Sequence, residues 1–190
     1  MARKIAVALA AISGSLMLPA CSDDNSGSGE VSTEVSDETL AALVEDADDL
    51  SVVSETLGDA GIARVFDGAA AYTLFAPRDA AFDALGEAGR ELRAPEQRAA
   101  MVAILRDHIV PGYLTPADIG NAVEQAEDGS VEMRTMGGHT LTFTGEGEAI
   151  NITSEDGATA RLAGEALRAS NGVVIPLDAV LRKVGEAPAG

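Results

Sequence analysis

The sequence predicts an α+β domain, and three observations carry that prediction. In the first part of the chain apolar residues recur at helical spacing: Leu40, Leu43, Val44 and Ala47 fall at i, i+3, i+4 and i+7. From Val131 onward the period shortens to two, as in a half-buried strand. Glycine pairs and Asp-Gly or Asn-Gly steps punctuate this second part. Helices first and meandering strands second read as α+β.

Taken in order, Leu50, Val53, Leu57 and Ala60 repeat the helical spacing, with Ser51 placed to cap the helix start and Gly61 its end. "YTLFA", residues 72–76, reads as a strand that Pro77 ends. Asp79 can cap a short helix with Phe82 and Leu85 on one side. Pro95 opens another helix, running to about Asp107 and burying Met101, Val102 and Leu105. "HIV" enters a strand that Pro111 and Gly112 turn. "VEMRTM", Gly137-Gly138 and "HTLTFT" form a hairpin. "AINIT", "ATARLA" and "GVVIPLDAVLRK" follow as strands, with turns at Asp156-Gly157 and Asn171-Gly172.

The ends read differently. Arg3 and Lys4 precede an apolar run from Ile5 to Leu18, interrupted at Ser13-Gly14-Ser15. A membrane-spanning helix needs about 20 apolar residues, so this run suits an export signal over residues 1–20. Leu18-Pro19-Ala20-Cys21 resembles the lipobox of bacterial lipoproteins, which marks Cys21 for lipidation and the membrane as a partner through that lipid. Ser22, in place of Asp, favours the outer membrane where one exists. An acylated Cys21 leaves no thiol for an intrachain disulfide, which suits an oxidising compartment. Residues 21–36, "CSDDNSGSGEVSTEVS", have almost nothing to bury and read as a tether that could reach on the order of 50 Å when extended. Residues 37–184 form the domain, and 185–190 a loose tail.

The chain of 190 residues carries a net charge of −18. Removing residues 1–20 takes away two cations and no acid, giving −20. Such a chain repels nucleic acid. The acidity reads as solubility or adaptation to a saline habitat.

Three segments together resemble the fasciclin domain. "YTLFAPRDAAF" is close to that family's "TVFAPTDAAF"; "LRDHIVPGYLTPADI" looks like its "LxxHVVPGxxxxxDL"; "ASNGVVIPLDAVL" is similar to its "NGVIHVIDxVL". Order and spacing agree, and the resemblance covers about Leu40 to Lys183. It implies a β-sandwich or wedge with helices packed along it, and a role in extracellular adhesion or binding without catalysis. The motif residues carried over are Tyr72, Phe75, Pro77, Asp79, Phe82, His108, Pro111, Gly112, Asn171, Gly172 and Asp178. The chain has only six aromatic residues, so the three in the first motif are expected in the core, each contributing about 1.5–3 kcal/mol. Two departures stand out. Animal members carry a Tyr-His pair associated with receptor binding, whereas Asp107 precedes His108 here. Pro176 stands where the family has His, and a proline removes a ladder donor, so it should occupy an edge or an unpaired position.

Catalytic and metal chemistry find little footing. His108, between a helix and a strand, is expected to be buried and bonded to backbone, and His139 to be solvated by a hairpin turn. The two stand at no metal-ligand spacing. There is no Gly-x-Ser-x-Gly elbow. "EDADD", residues 45–49, starts like a calcium loop but lacks its glycine and closing Glu. "GEGE", residues 145–148, lacks the helix a phosphate loop opens. Neither a catalytic residue, a metal nor a cofactor is expected. Two function classes follow: a binding module meeting a protein or polysaccharide in the envelope or matrix, or a carrier of a small, pigment-like apolar ligand. A cavity beneath the helices would favour the carrier.

Overall fold

The runs "YTLFAP" and "GVVIPL" lack the alternation of a half-solvated strand, and their positions explain why. The computed structural model describes residues 35–59, 61–66, 70–147 and 149–184. The elements in chain order are α1 (Leu40–Glu45), α2 (Ser51–Asp59), a 3-10 turn (Ile62–Val65), β1 (Tyr72–Pro77), α3 (Asp79–Ala84), α4 (Glu87–Leu92), a second 3-10 turn (Pro95–Gln97), α5 (Arg98–Arg106), β2 (Ile109–Pro111), α6 (Pro116–Gln125), β3 (Ser130–Arg134), β4 (Thr140–Glu146), β5 (Ala149–Ser154), β6 (Thr159–Arg161), β7 (Leu167–Ala169) and β8 (Gly172–Leu177). They build two four-stranded sheets, ordered β2-β1-β8-β7 and β3-β4-β5-β6.

β1 and β8 pair in parallel at the centre of the first sheet, from Tyr72↔Gly172 to Pro77↔Leu177. Both faces of this sheet are covered, so both strands are apolar but for Thr73, whose buried hydroxyl donates to the Gly112 carbonyl. Leu74, Ala76 and Val174 join Leu40, Val44, Val53, Leu57, Phe82, Met101 and Leu105 in a core under the helices. Phe75, Val173, Ile175 and Leu177 face the other way, joining Leu141, Phe143, Ile150 and Ile152 of the second sheet. The Phe75 and Phe143 rings meet across that layer with centroids 5.2 Å apart. The second sheet is antiparallel and buries one face only, so its strands alternate: β4 buries Leu141 and Phe143 and leaves its threonines partly exposed.

The α+β reading holds, with β1 and β2 among the helices as the sequence indicated; α4, α6 and β7 were not anticipated. α6 carries its start signal openly. The Thr115 side chain accepts from Asp118 N–H while Asp118 accepts from Thr115 N–H, and Pro116 opens the helix. The last strand stops at Leu177 and does not run on to Lys183.

Several local expectations need correcting. Ser51 is the first residue of α2 and does not cap it. The cap comes from Asp79, whose carboxylate accepts from Val52 N–H at 3.0 Å, Ser51 N–H at 3.3 Å, and the Ser51 hydroxyl. Asp79 therefore ties α2 to α3 and does not cap its own helix, which starts from Arg78 without a side-chain cap. Gly61 does take the left-handed conformation just past α2, at φ 63°. Ala60 lies outside the described residues. Met101 and Leu105 are buried on α5, but Val102 is only half-buried. Pro176 is on an interior strand, yet the pairing of β7 with β8 runs only from Gly172 to Val174. Pro176 lies beyond it, and its carbonyl accepts from Ala163 N–H at 2.8 Å. The missing donor costs no ladder bond.

Candidate functional site

The C-terminal end of α5 sends two neighbouring side chains in different directions. His108 points into the protein and is 1 % exposed. Its Nδ1 lies 2.8 Å from the Ile104 carbonyl, and its Nε2 lies 2.9 Å from the Leu181 backbone N–H. A carbonyl can only accept and an N–H can only donate, so the ring is the neutral tautomer with its proton on Nδ1. Burial pushes its pKa down to about 4, against the raising effects of the Ile104 bond and the Asp107 charge. His108 is thus buried and bonded to backbone, as the sequence suggested; it pins the segment after β8 to the end of α5 and is unavailable as a surface ligand.

Asp107 turns toward a cleft of about 240 Å³ that it shares with His139, Leu141, Ser154, Glu155, Asp156, Leu181 and Arg182. Its side chain is only 9 % exposed. Oδ1 lies 2.7 Å from Nδ1 of His139. His139 is half-exposed, so the expectation of a solvated ring is half right: it sits at the surface but is oriented by Asp107. The β3–β4 turn is held against the α5–β2 junction by backbone bonds from Gly137 to Arg106 (3.0 Å) and from Met136 to Ile109 (2.8 Å). Gly137 has to be glycine here, because a Cβ would lie 1.7 Å from Asp107 Oδ1.

The facing wall is the β5–β6 turn and the segment after β8. Asp156 is its keystone, accepting from the Ser154 hydroxyl at 2.6 Å, Ala158 N–H at 3.1 Å and Lys183 N–H at 2.9 Å. Burial tends to raise its pKa, but these bonds and the Arg182 guanidinium outweigh that and hold the carboxyl below its usual range. Arg182 is the loose member. Its Nε is 3.5 Å from Asp156 Oδ2, and its Nη1 is 3.9 Å from Asp107 Oδ2, too far for a hydrogen bond. The Ser154 hydroxyl, donating to Asp156 and accepting from Ala158 N–H, is engaged in the turn. The cleft can therefore recognise charged and donor groups. Among the described residues no group of three His, Cys, Asp or Glu could hold a metal ion.

The motif residues serve the frame. Phe75, Pro77 and Phe82 are buried, while Tyr72 is half-buried and meets Phe66 edge-on at 5.5 Å. Pro111 is exposed at the end of β2. Gly112, at φ 117°, turns the chain back to Ala71 and accepts from the Thr73 hydroxyl. Asn171 accepts from Leu40 N–H at 2.8 Å and donates to the Phe66 carbonyl, joining α1 to the start of β8. Gly172 is buried where a Cβ would strike the Tyr72 carbonyl and Leu40. Asp178 accepts from Arg161 N–H at 2.7 Å. Cys21 lies outside the described residues. The cleft residues His139, Ser154, Glu155, Asp156 and Arg182 were not singled out as a site; the available signal was the glycine pair beside His139.

Comparison with known proteins agrees with this frame. The fasciclin domain family model matches residues 48–183. Protein sll1483 of Synechocystis sp. (strain ATCC 27184 / PCC 6803 / Kazusa) is 31 % identical over 111 residues, covering 58 % of this chain and 54 % of that protein. The chain thus spans about half the length of that relative. The FAS1 domain pair of the insect cell adhesion molecule Fasciclin I matches in fold with a TM-score of 0.66 at 16 % identity, covering 77 % of this chain and 51 % of that one. With the family pattern running from just before α2 through the segment that His108 pins, the chain belongs to the fasciclin domain family.

Proposed function

We infer that this chain is a non-catalytic, extracytoplasmic binding module that makes adhesive or envelope contacts while held to a membrane by lipid on Cys21. The observation that carries the reading is the fasciclin match over residues 48–183, a domain known as an adhesion and binding module. The sequence Leu18-Pro19-Ala20-Cys21 supports the anchor, and Ser22 supports the outer membrane as its destination. Residues 21–36 would serve as a tether, and many anchored copies on one surface would let weak contacts add through avidity. The partner is a protein or polysaccharide of the envelope or matrix. Because the chain is strongly acidic, contact with basic groups should weaken with salt. No observation favours the apolar-ligand carrier. The cleft beneath α2, α4 and α5 is only about 90 Å³, and Glu55, Asp59, Arg93 and Arg98 line it alongside Val52, Leu92, Pro95 and Met101.

The test is retention of the full chain on envelope material and on polysaccharides, presented singly and clustered on beads across a salt series. Weak retention that clustering strengthens is expected. Turnover of a substrate, abolished by replacing one polar residue, would overturn the non-catalytic reading.

A further inference from the structure

We propose that the Asp107 cleft is a receptor for a single basic side chain, lysine or arginine, of a partner protein, with Arg182 as its built-in competitor. The inference rests on the binding-module reading above and names the chemistry of its contact.

The argument starts from the oxygens. Asp107 is nine-tenths buried, and only Oδ1 has a hydrogen-bond partner, His139. Oδ2 faces the cleft with nothing nearer among its charged neighbours than Arg182 Nη1 at 3.9 Å. Oδ2 makes no hydrogen bond within the protein and is not sealed from solvent, so a charge-assisted donor entering the cleft can reach it. Arg182 approaches both Asp107 and Asp156 but reaches neither at hydrogen-bond distance, and its side chain remains 43 % exposed. It can swing out without leaving a buried charge of its own unpaired.

The remaining walls select among cations. Leu141 and Leu181 line the cleft alongside the acids. A methylene stem with a charged tip matches that pairing, because long basic side chains lay their stems on apolar surface and present the head to acceptors. A volume of about 240 Å³ is below the usual range for a drug-sized ligand and fits a group of side-chain size. The lining carries three carboxylates, Asp107, Glu155 and Asp156, against one permanent cation, Arg182. An anionic guest would meet that excess of negative charge, and a hydrated divalent ion would find no cluster of three ligands among the described residues.

The experiment titrates the full chain with N-acetyl-arginine amide, N-acetyl-lysine amide and uncharged N-acetyl-norleucine amide, following backbone amide resonances by NMR. The basic probes should shift His139, Leu181 and Arg182 saturably, and the norleucine probe should not. Asp107→Asn should weaken binding at least five-fold. Arg182→Ala should strengthen it at least three-fold, because the competitor is gone. The two variants are expected to move affinity in opposite directions, and Arg182, being half-exposed, can be replaced without threatening the fold. A weaker-binding Arg182→Ala would overturn the proposal. So would equal shifts from the norleucine probe, or shifts spread over the surface that merely follow net charge. Retention of the chain on envelope material with no probe binding in the cleft would sink this inference and leave the binding-module reading standing. Probe binding without retention would do the reverse.

Discussion

Acidification should destabilise this domain mainly through His108, by an amount the geometry allows to be worked out. In the folded state the ring is neutral and its two nitrogens are committed, one to Ile104 and one to Leu181. Its folded pKa is about 4 against an ordinary 6.5. A base with a depressed pKa binds fewer protons folded than unfolded between those values, so stability falls as pH drops through that window. The full gap corresponds to about 3 kcal/mol, and going from pH 7 to pH 4.5 should remove roughly 2–3 kcal/mol. That is a large share of the about 5–15 kcal/mol that holds an ordinary domain together.

The assay is urea unfolding at closely spaced pH values, for the wild type and for His108→Gln. The variant keeps a polar side chain but no titrating group, so subtracting the two curves isolates His108 from every other ionisable residue. The wild type should lose stability more steeply than the variant between pH 6.5 and pH 4, by about 1.2 kcal/mol per pH unit at the steepest point. Parallel curves would refute the reasoning, because a histidine that can protonate freely in the folded state contributes no such slope. His108→Ala should also cost about 1–3 kcal/mol at pH 7, from the Leu181 N–H left unpaired and the cavity opened; the Ile104 carbonyl keeps its bond from Asp107 N–H.

Three further outcomes are expected. Gly137→Ala should destabilise by about 1–3 kcal/mol in a thermal or urea melt, since its Cβ would lie 1.7 Å from Asp107 Oδ1 and the buried carboxylate has little room to retreat. Asp79→Ala should cost about 1 kcal/mol by removing the cap that α3 supplies to α2, whereas Ser51→Ala, which keeps the backbone donors of Ser51 and Val52, should cost less. Cys21→Ala should move the protein from the membrane fraction to the soluble fraction; identical fractionation of the two forms would remove the anchor from the account.

What was legible in the sequence follows from how locally each feature is specified. The β4 strand could be read because its alternation comes from one solvated face, a property of the segment itself. The strands β1 and β8 could be read as strands, but not as partners. Their parallel pairing joins residues a hundred positions apart, Tyr72 to Gly172, and nothing local encodes it. Asp79 shows the same limit from another side. An Asp at the start of a helix looks like that helix's own cap, and only the packing of α2 beside α3 reveals that it serves its neighbour. The helix α6 is a different kind of miss, because Thr115, Pro116 and Asp118 form a start signal within four residues. The cleft was illegible because its walls come from four separate places in the chain: the end of α5, the β3–β4 turn, the β5–β6 turn and the segment after β8.

The adjacency of Asp107 and His108 ties the frame to the cleft and gives a way to separate them. His108 holds the backbone of Leu181, and Leu181 and the following Arg182 form part of the wall that Asp107 faces. Losing the His108–Leu181 bond should therefore loosen the cleft as well as the fold, so a His108 variant that bound its partner poorly would not by itself mark His108 as a contact residue. Asp107 is the reverse case. Its Oδ1 supports the β3–β4 turn through His139, while Oδ2 stands open to the cleft. Replacing it with Asn keeps a side-chain oxygen available for one of these tasks and removes the charge from the other. Partner binding that falls in Asp107→Asn while the melting temperature stays near the wild type would assign the loss to the charge. Losses that track the melting temperature across both positions would return Asp107, like His108, to the frame.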